Sequence, residues 1–126
     1  INNIIFYGKI SKKKMYEEYK KSDALFLSLV NNKFLNFTIP AKLQTYFSIG
    51  KPIIASASGE IQELLKESKA GYCSKPENED LLYKNILKLI NLNYKNLNKL
   101  GKNSQSYFKN NFENKMITDS LAKILI

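Results

Sequence analysis

The stretch from Thr38 to Glu60, TIPAKLQTYFSIGKPIIASASGE, constrains the fold more than any other part of the chain. Pro40 lies where a helix accepts proline, in the first turn, because the N–H that proline lacks has no intrahelical partner there. Gly50 and Pro52 then end the helix, since glycine enters the left-handed cap conformation without steric cost and proline cannot continue a helix. The apolar run Ile53–Ala55 is typical of a buried parallel strand. A helix followed so closely by a buried strand predicts an α/β fold.

Apolar runs and helical patterns alternate along the rest of the chain. The predicted strands are Asn3–Tyr7, Ala24–Leu29, Pro52–Ala57 and Ala70–Ser74. The predicted helices are Ser11–Lys21, Ala41–Ile49, Gly59–Ser68 with Ser58 as N-cap, and a longer helix that starts at Glu79 and Asp80. The apolar face of the helix Ala41–Ile49 consists of Leu43, Tyr46 and Phe47. The longer helix carries Leu82, Ile86, Leu89 and Ile90 on one side. This alternation predicts a Rossmann-like parallel sheet covered by helices on both faces.

The chain has the length of one domain, residues 1–126. A stretch rich in Asn and Lys, Asn91–Asn98, reads as a linker before closing helices at residues 99–126. The apolar face predicted for that closing segment consists of Phe108, Phe112, Met116 and Leu121. Only four strands are predicted, fewer than a complete Rossmann-like domain contains.

The composition favours some classes of function and weakens others. The formal net charge is +9, yet every basic residue is lysine, and the sequence has no arginine and no histidine. Arginine is the preferred reader of phosphates and base edges, so its absence weakens the case for nucleic-acid binding. The single cysteine, Cys73, excludes an intrachain disulfide. Without histidine, a cysteine cluster or an Asp-x-Asp motif, no metal site and no Ser-His nucleophile is expected.

The same stretch also resembles a known family. The segment Ile39–Tyr46, which reads IPAKLQTY, followed by Gly-Lys-Pro and an apolar strand, is similar to the C-terminal, donor-binding domain of GT-B glycosyltransferases. It most resembles family 4, the retaining enzymes, and within it the bacterial amino-sugar (fucosamine-type) branch. Phe6–Ile10, Ser22–Leu27, Ala70–Tyr72 and Phe108–Phe112 resemble further elements of the family in the same order. The resemblance implies that the first part of the donor domain and the whole acceptor domain precede residue 1.

The candidate binding residues lie in loops at predicted strand ends, where open α/β sheets bind ligands. By resemblance, the backbone of Gly8, Lys9 and Ile10 borders the nucleotide base, although a plain strand-ending turn is an equal alternative. The segment Phe37–Pro40, with Thr38 and Ile39, resembles the part whose N–H groups meet the donor's sugar and diphosphate. The physical basis is that a helix N-terminus offers free N–H donors to an anion. Lys42 adds a positive charge, and Gly59 and Glu60 open the next helix at the same edge.

Two positions depart from the family pattern. Family 4 enzymes carry a pair of glutamates across this loop and helix, and alignment on Gly-Lys-Pro places Phe37 and Thr45 there. Thr45 can make only a neutral hydrogen bond to ribose hydroxyls, and Phe37 cannot replace a carboxylate. Either this branch uses another solution or the chain has lost activity. No residue here is expected to act as a catalytic base.

The resemblance implies a glycosyltransferase that moves a sugar, expected to be an N-acetylated hexosamine, from a UDP- or GDP-sugar to a saccharide or lipid-linked acceptor in surface polysaccharide synthesis. No cofactor or metal is expected. The expected location is the cytoplasm, with possible peripheral contact at the inner face of the membrane, and the fragment alone is expected to be inactive. The alternatives are a non-catalytic α/β signalling module and a basic module that binds nucleic acid or membranes. The first lacks the aspartates that such modules carry after their first strand.

Overall fold

In the part of the chain that the structure describes, a three-stranded parallel sheet flanked by five helices forms the fold, which is α/β and Rossmann-like as predicted. The computed structural model describes residues 3–30 and 39–113. In chain order the elements are α1 (Lys12–Lys21), β1 (Leu25–Ser28), α2 (Ala41–Ile49), β2 (Ile53–Ser56), α3 (Glu60–Ser68), β3 (Gly71–Ser74), α4 (Glu79–Ile90), α5 (Tyr94–Phe108) and a π-helical turn (Lys109–Glu113). The strands are ordered β1-β2-β3, and Ser28, Ser56 and Ser74 are aligned in register at their carboxyl ends.

One side of the sheet, the closed face, carries the core. Every second strand residue points to the same side, so Leu25 and Leu27 of β1 share this face with Ile53 and Ala55 of β2. All four belong to one buried cluster with the apolar residues of α2 and α3. The aromatic ring of Phe47 lies 5.9 Å from that of Phe112, which closes the cluster from the π-helical turn. The short strands are therefore held mainly by the apolar contacts of this face.

The opposite side of the sheet, the open face, is only partly covered. Phe26, Ile54 and Tyr72 share it by register, and α4 packs here, with the Lys88 Nζ 4.6 Å from the centre of the Tyr72 ring. Phe26 of β1 stays 48% exposed. A groove of about 470 Å³ runs between β1 and α4, and its walls are almost entirely apolar.

Helix α5 holds the ends of α2 and α3 in place. The Ser104 hydroxyl donates to the Lys51 carbonyl at 2.9 Å, and the Asn103 side chain donates to the Lys69 carbonyl at 2.8 Å. Gly101 lies so close to α2 that a Cβ at this position would be 2.6 Å from the Gly50 carbonyl oxygen. A helix that satisfies carbonyls at two helix ends fixes both helices against the sheet.

The outer edge of β1 has a specific hydrogen bond. The N–H groups of Leu25 and Leu29 donate to the carbonyls of Pro52 and Ser56, so by alternation the carbonyl of Phe26 points away from β2. The Tyr46 hydroxyl of α2 donates to that carbonyl at 2.9 Å. Burial, with a smaller effect of Tyr19, raises the pKa of Tyr46 well above its ordinary value, so the hydroxyl stays protonated and remains a donor.

The strand predicted at Asn3–Tyr7 is wrong. Residues 3–8 form no strand, and no described strand pairs with them. The four apolar side chains from Ile4 to Tyr7 are 52–90% exposed. An apolar run becomes a strand only where a neighbour accepts its backbone hydrogen bonds, and the described sheet offers none to this segment. The described sheet accordingly has three strands instead of the four predicted.

Several predicted boundaries also change. Helix α2 has the predicted bounds, but Pro40 is its N-cap and not part of its first turn. The N-cap of α3 is Gly59, not Ser58. The predicted linker Asn91–Asn98 is mostly helix, because the Asn93 side chain accepts from the Asn96 N–H and starts α5 at Tyr94.

The aromatic residues predicted for the closing segment pack as expected where the structure describes them. Phe112 is buried, and Phe108 packs against the core. Met116 and Leu121 lie outside the described residues.

Candidate functional site

The N-terminus of α2 lies at the carboxyl edge of the sheet, because α2 follows β1 and leads back to the start of β2. Pro40 caps it without a side-chain hydrogen bond, and the first turn contains no acidic residue. The Pro40 carbonyl accepts from the N–H groups of Leu43 and Gln44, at 3.0 and 3.4 Å. The N–H groups of the preceding first-turn residues, Ala41 and Lys42, have no partner within the helix, so this end can accept an anion.

Two residues of α2, Lys42 and Thr45, were predicted to contact the donor with their side chains. Lys42 is exposed, and its Nζ is 5.7 Å from the centre of the Tyr46 ring one turn later. Such a contact orients the lysine only weakly, so its charge stays available at the helix start. Thr45 is half-buried, and its carbonyl accepts from the Ser48 hydroxyl at 2.6 Å. Its role in binding a ligand stays a prediction.

The N-terminus of α3 follows β2 at the same edge. Gly59 has φ 72° and ψ −133°, a backbone conformation that only glycine adopts readily, and it makes no side-chain cap. Glu60 is exposed in the first turn, where a carboxylate stabilises the positive end of the helix dipole. Its charge also contributes to the raised pKa of Tyr107. Glu60 therefore has a structural role, whereas the predicted role of Gly59 and Glu60 in binding a donor stays a prediction.

The remaining predicted residues are not brought together by the structure. Gly8 has φ 68°, and Lys9 is exposed, but no strand precedes Gly8–Ile10, so this segment does not end a described strand. Ile39 is half-buried and packs against the core beside α2. Phe37 and Thr38 lie outside the described residues. For Gly8, Lys9 and Ile10, contact with a nucleotide base stays a prediction.

The sequence match now identifies the family. The chain matches the family model described as "Glycosyl transferases group 1" over residues 1–107, which is most of its length. The chain belongs to the group 1 glycosyltransferase family. No curated protein and no solved structure matches it significantly. Family membership establishes a transferase domain with a role in glycosyl transfer, which in general requires a donor sugar and an acceptor.

The structure also aligns three serines at the carboxyl edge of the described sheet. Ser28, Ser56 and Ser74 end the three strands in register. Glu77 and Asn78 follow β3, and the Asn78 side chain caps α4 by accepting from the Leu81 N–H. A serine at the end of each apolar run was visible in the sequence, but only the register places the three side by side.

Glu79 and Asp80 lie in the first turn of α4, as predicted for residues that stabilise a helix start. Among the described residues, no three His, Cys, Asp or Glu side chains are grouped so that they can hold a metal ion. Within the same part of this glycosyltransferase domain, none of the helices combines the length and apolar character needed to cross a bilayer.

Proposed function

We propose that this chain is the donor-binding part of a nucleotide-sugar glycosyltransferase and that it holds the donor's diphosphate at the N-terminus of α2. The observation that carries the proposal is the start of α2, which has free N–H groups, no acid in its first turn and a lysine beside them. A diphosphate gains charge-assisted hydrogen bonds there and the favourable end of the helix dipole.

The proposed reaction moves a sugar from a UDP- or GDP-sugar to a saccharide or lipid-linked acceptor. Negative charge grows on the diphosphate as the bond to the sugar breaks, so N–H groups and Lys42 beside it stabilise the transition state more than the ground state. Retention of configuration, assignment to family 4 and its amino-sugar branch, and an N-acetylated hexosamine as the sugar are the finer parts of this proposal. They are supported by the IPAKLQTY segment and the Gly-Lys-Pro stop.

The acceptor side of the proposal involves other parts of the protein and its surroundings. The acceptor domain is proposed to precede the donor domain in the chain. A lipid-linked acceptor would bring the enzyme to the inner face of the cytoplasmic membrane, and the net charge of +9 suits an anionic lipid surface.

The test is an NMR titration of the chain with UDP, GDP and UDP-N-acetylhexosamines. We expect saturable shifts of the amides of Ala41, Lys42 and Gly59. The variant Lys42→Gln should bind UDP about two- to fivefold more weakly, as expected for one exposed charge contact. Lys99→Gln is the matched control, because Lys99 is exposed on α5 and loses the same charge. A folded chain whose α2 amides do not respond to any of these nucleotides would contradict the proposal.

A further inference from the structure

The turn that joins α4 to α5, which we call the α4–α5 corner, exposes large side chains. Ile90, the last residue of α4, is 68% exposed, and Tyr94, the first residue of α5, is 82% exposed. The corner lies at the amino edge of the sheet, because Asp23 and Ala24, which precede β1, border the same groove as Ile90. Exposed side chains of this kind gain free energy when a partner removes them from water.

The apolar groove between β1 and α4 reaches this corner. Its volume is about 470 Å³, and apart from Asp23 its lining is apolar. Ile90, Leu92 and Leu97 form its wall at the corner. A nucleotide or a sugar needs several polar groups to fix its orientation, so a groove of this composition suits hydrocarbon better.

A row of lysines borders the corner on α5. Lys95, Lys99 and Lys102, the lysine row, recur at helical spacing and share one face of the helix. All three are exposed, and together with Tyr94 they line one hollow on the helix surface. Among the described residues, none of the three forms an ion pair. Their positive charges are therefore available to a partner.

Acidic residues are absent from the helices that form the corner, apart from the first turn of α4. From Leu81 to Phe112, a range that includes most of α4 and all of α5, the sequence contains no aspartate or glutamate. The lysines of α1 differ in this respect, since Lys14 and Lys21 both pair with Glu18. The corner thus combines exposed apolar groups with positive charge that no neighbour neutralises, and a matching partner is both apolar and anionic.

We infer that the α4–α5 corner is a contact surface for an anionic phospholipid bilayer. Ile90 and Tyr94 enter the boundary between headgroups and acyl chains, and the lysine row lies against the lipid phosphates. Apolar and aromatic side chains beside lysines are typical of proteins that lie on such a surface. A nucleic acid would pair with the lysines but would leave Ile90 and the groove in water, and the sequence has no arginine to read it.

The inference rests on the proposed function for the presence of a membrane, and it names the surface that reaches it. The N-terminus of α2 lies at the carboxyl edge of the sheet, at the other end from the corner. Contact with a bilayer at the corner therefore leaves the proposed diphosphate site free to bind a donor.

The test is co-sedimentation of the chain with vesicles of phosphatidylcholine alone and with vesicles that also contain phosphatidylglycerol. We expect binding to the anionic vesicles, and we expect this binding to weaken as salt is added. Equal binding to both kinds of vesicle, or binding to neither, overturns the inference. A single-stranded oligonucleotide is tested beside the vesicles, and a chain that binds it but not the anionic vesicles also overturns the inference.

Charge variants show whether the corner carries the binding. Lys95→Gln combined with Lys99→Gln should weaken binding to the anionic vesicles about 10- to 30-fold, because each lysine near such a surface contributes roughly fivefold. The matched control is Lys12→Gln combined with Lys13→Gln, which removes the same charge from exposed positions on α1 and should weaken binding less than about threefold. Equal losses in the two double variants overturn the inference, because binding would then follow net charge alone.

An apolar variant tests the other half of the surface. Ile90→Ser should weaken binding to the anionic vesicles about three- to tenfold, since it removes the apolar side chain that leaves water. Ile5→Ser is the control, because Ile5 is 72% exposed but lies ahead of α1 and borders neither the groove nor the lysine row. Equal effects of the two variants overturn the inference. Amide spectra show that each variant folds, and UDP titration of the α2 amides tests the proposed function separately, so that vesicle binding can fail while UDP binding persists.

Discussion

The two faces of the sheet differ in how far they are covered. On the closed face, Leu25, Ile53 and Ala55 are at most 4% exposed beneath α2 and α3. On the open face, Phe26 is 48% exposed although it is the direct neighbour of Leu25 in the same strand. Consecutive residues of one strand therefore lie in different environments: the closed face stabilises the fold, and the open face presents apolar and polar groups to the surroundings.

The largest contrast between the faces is expected for two phenylalanines. Phe47→Ala empties a fully buried position between Tyr107 and Phe112 and should lower the free energy of unfolding by about 3–5 kcal/mol. Phe26→Ala, the matched change on the open face, should cost less than about 1 kcal/mol, because much of this side chain is already in water. Urea unfolding measures both. Equal losses would show that the open face contributes to the core as much as the closed face does.

A smaller loss of stability is expected for a substitution in α5, which packs over the helices of the closed face. Ser104→Ala leaves the Lys51 carbonyl without its side-chain donor in a buried position and should cost about 1–2 kcal/mol. Ser106→Ala is the control, since Ser106 is exposed on the same helix and should change stability by less than about 0.5 kcal/mol. Thermal unfolding compares the two. If the two serine variants unfold alike, α5 is not held by this bond.

The smallest effect is expected at the rim of the closed face, and it depends on pH. Burial first, and then the hydrogen bond to Glu67 and the nearby carboxylates, raise the pKa of Tyr107 to about 12. Because the folded state favours the neutral phenol, the stability this group contributes is complete below pH ~10, its ordinary pKa, and is lost as the pH rises towards 12. The variant Tyr107→Phe keeps the aromatic ring and removes the hydroxyl that titrates.

The measurement is the difference in unfolding free energy between parent and Tyr107→Phe from pH 8 to pH 11. The difference in unfolding free energy in favour of the parent should decrease as the pH rises, because Tyr107 loses its proton more readily in the unfolded state than in the folded state. Subtracting the variant removes the contributions of the other tyrosines and of the lysines. A difference that stays constant over this range would show that the Tyr107 proton is not linked to folding.

Local signals predicted much of the fold. The bounds of α2 are those expected from Pro40, Gly50 and Pro52, because these residues determine backbone conformation wherever they occur. The three observed strands lie within predicted apolar runs, because each strand supplies apolar side chains to the covered face of the sheet.

Features that depend on a distant partner could not be predicted in this way. The apolar run Asn3–Tyr7 has the composition of a strand, but pairing is a property of two segments and not of one. The Asn- and Lys-rich run before Lys99 is a different case, because its signal is local: its composition is typical of a linker, yet the Asn93 side chain caps a helix there. The alignment of Ser28, Ser56 and Ser74 at one edge depends on the register between the three strands, which a linear sequence does not display.

The hydrogen bond from Tyr46 to the Phe26 carbonyl has a consequence for how the molecule behaves among its copies. An edge strand with free backbone groups is a template on which other chains can add as strands and aggregate. In this protein the Phe26 carbonyl, with which an added strand would pair, already accepts a hydrogen bond from the Tyr46 hydroxyl of α2. Among the described residues no strand pairs with the outer side of β1, and a strand that paired there would have to displace the Tyr46 hydroxyl, so this hydrogen bond opposes edge-to-edge association.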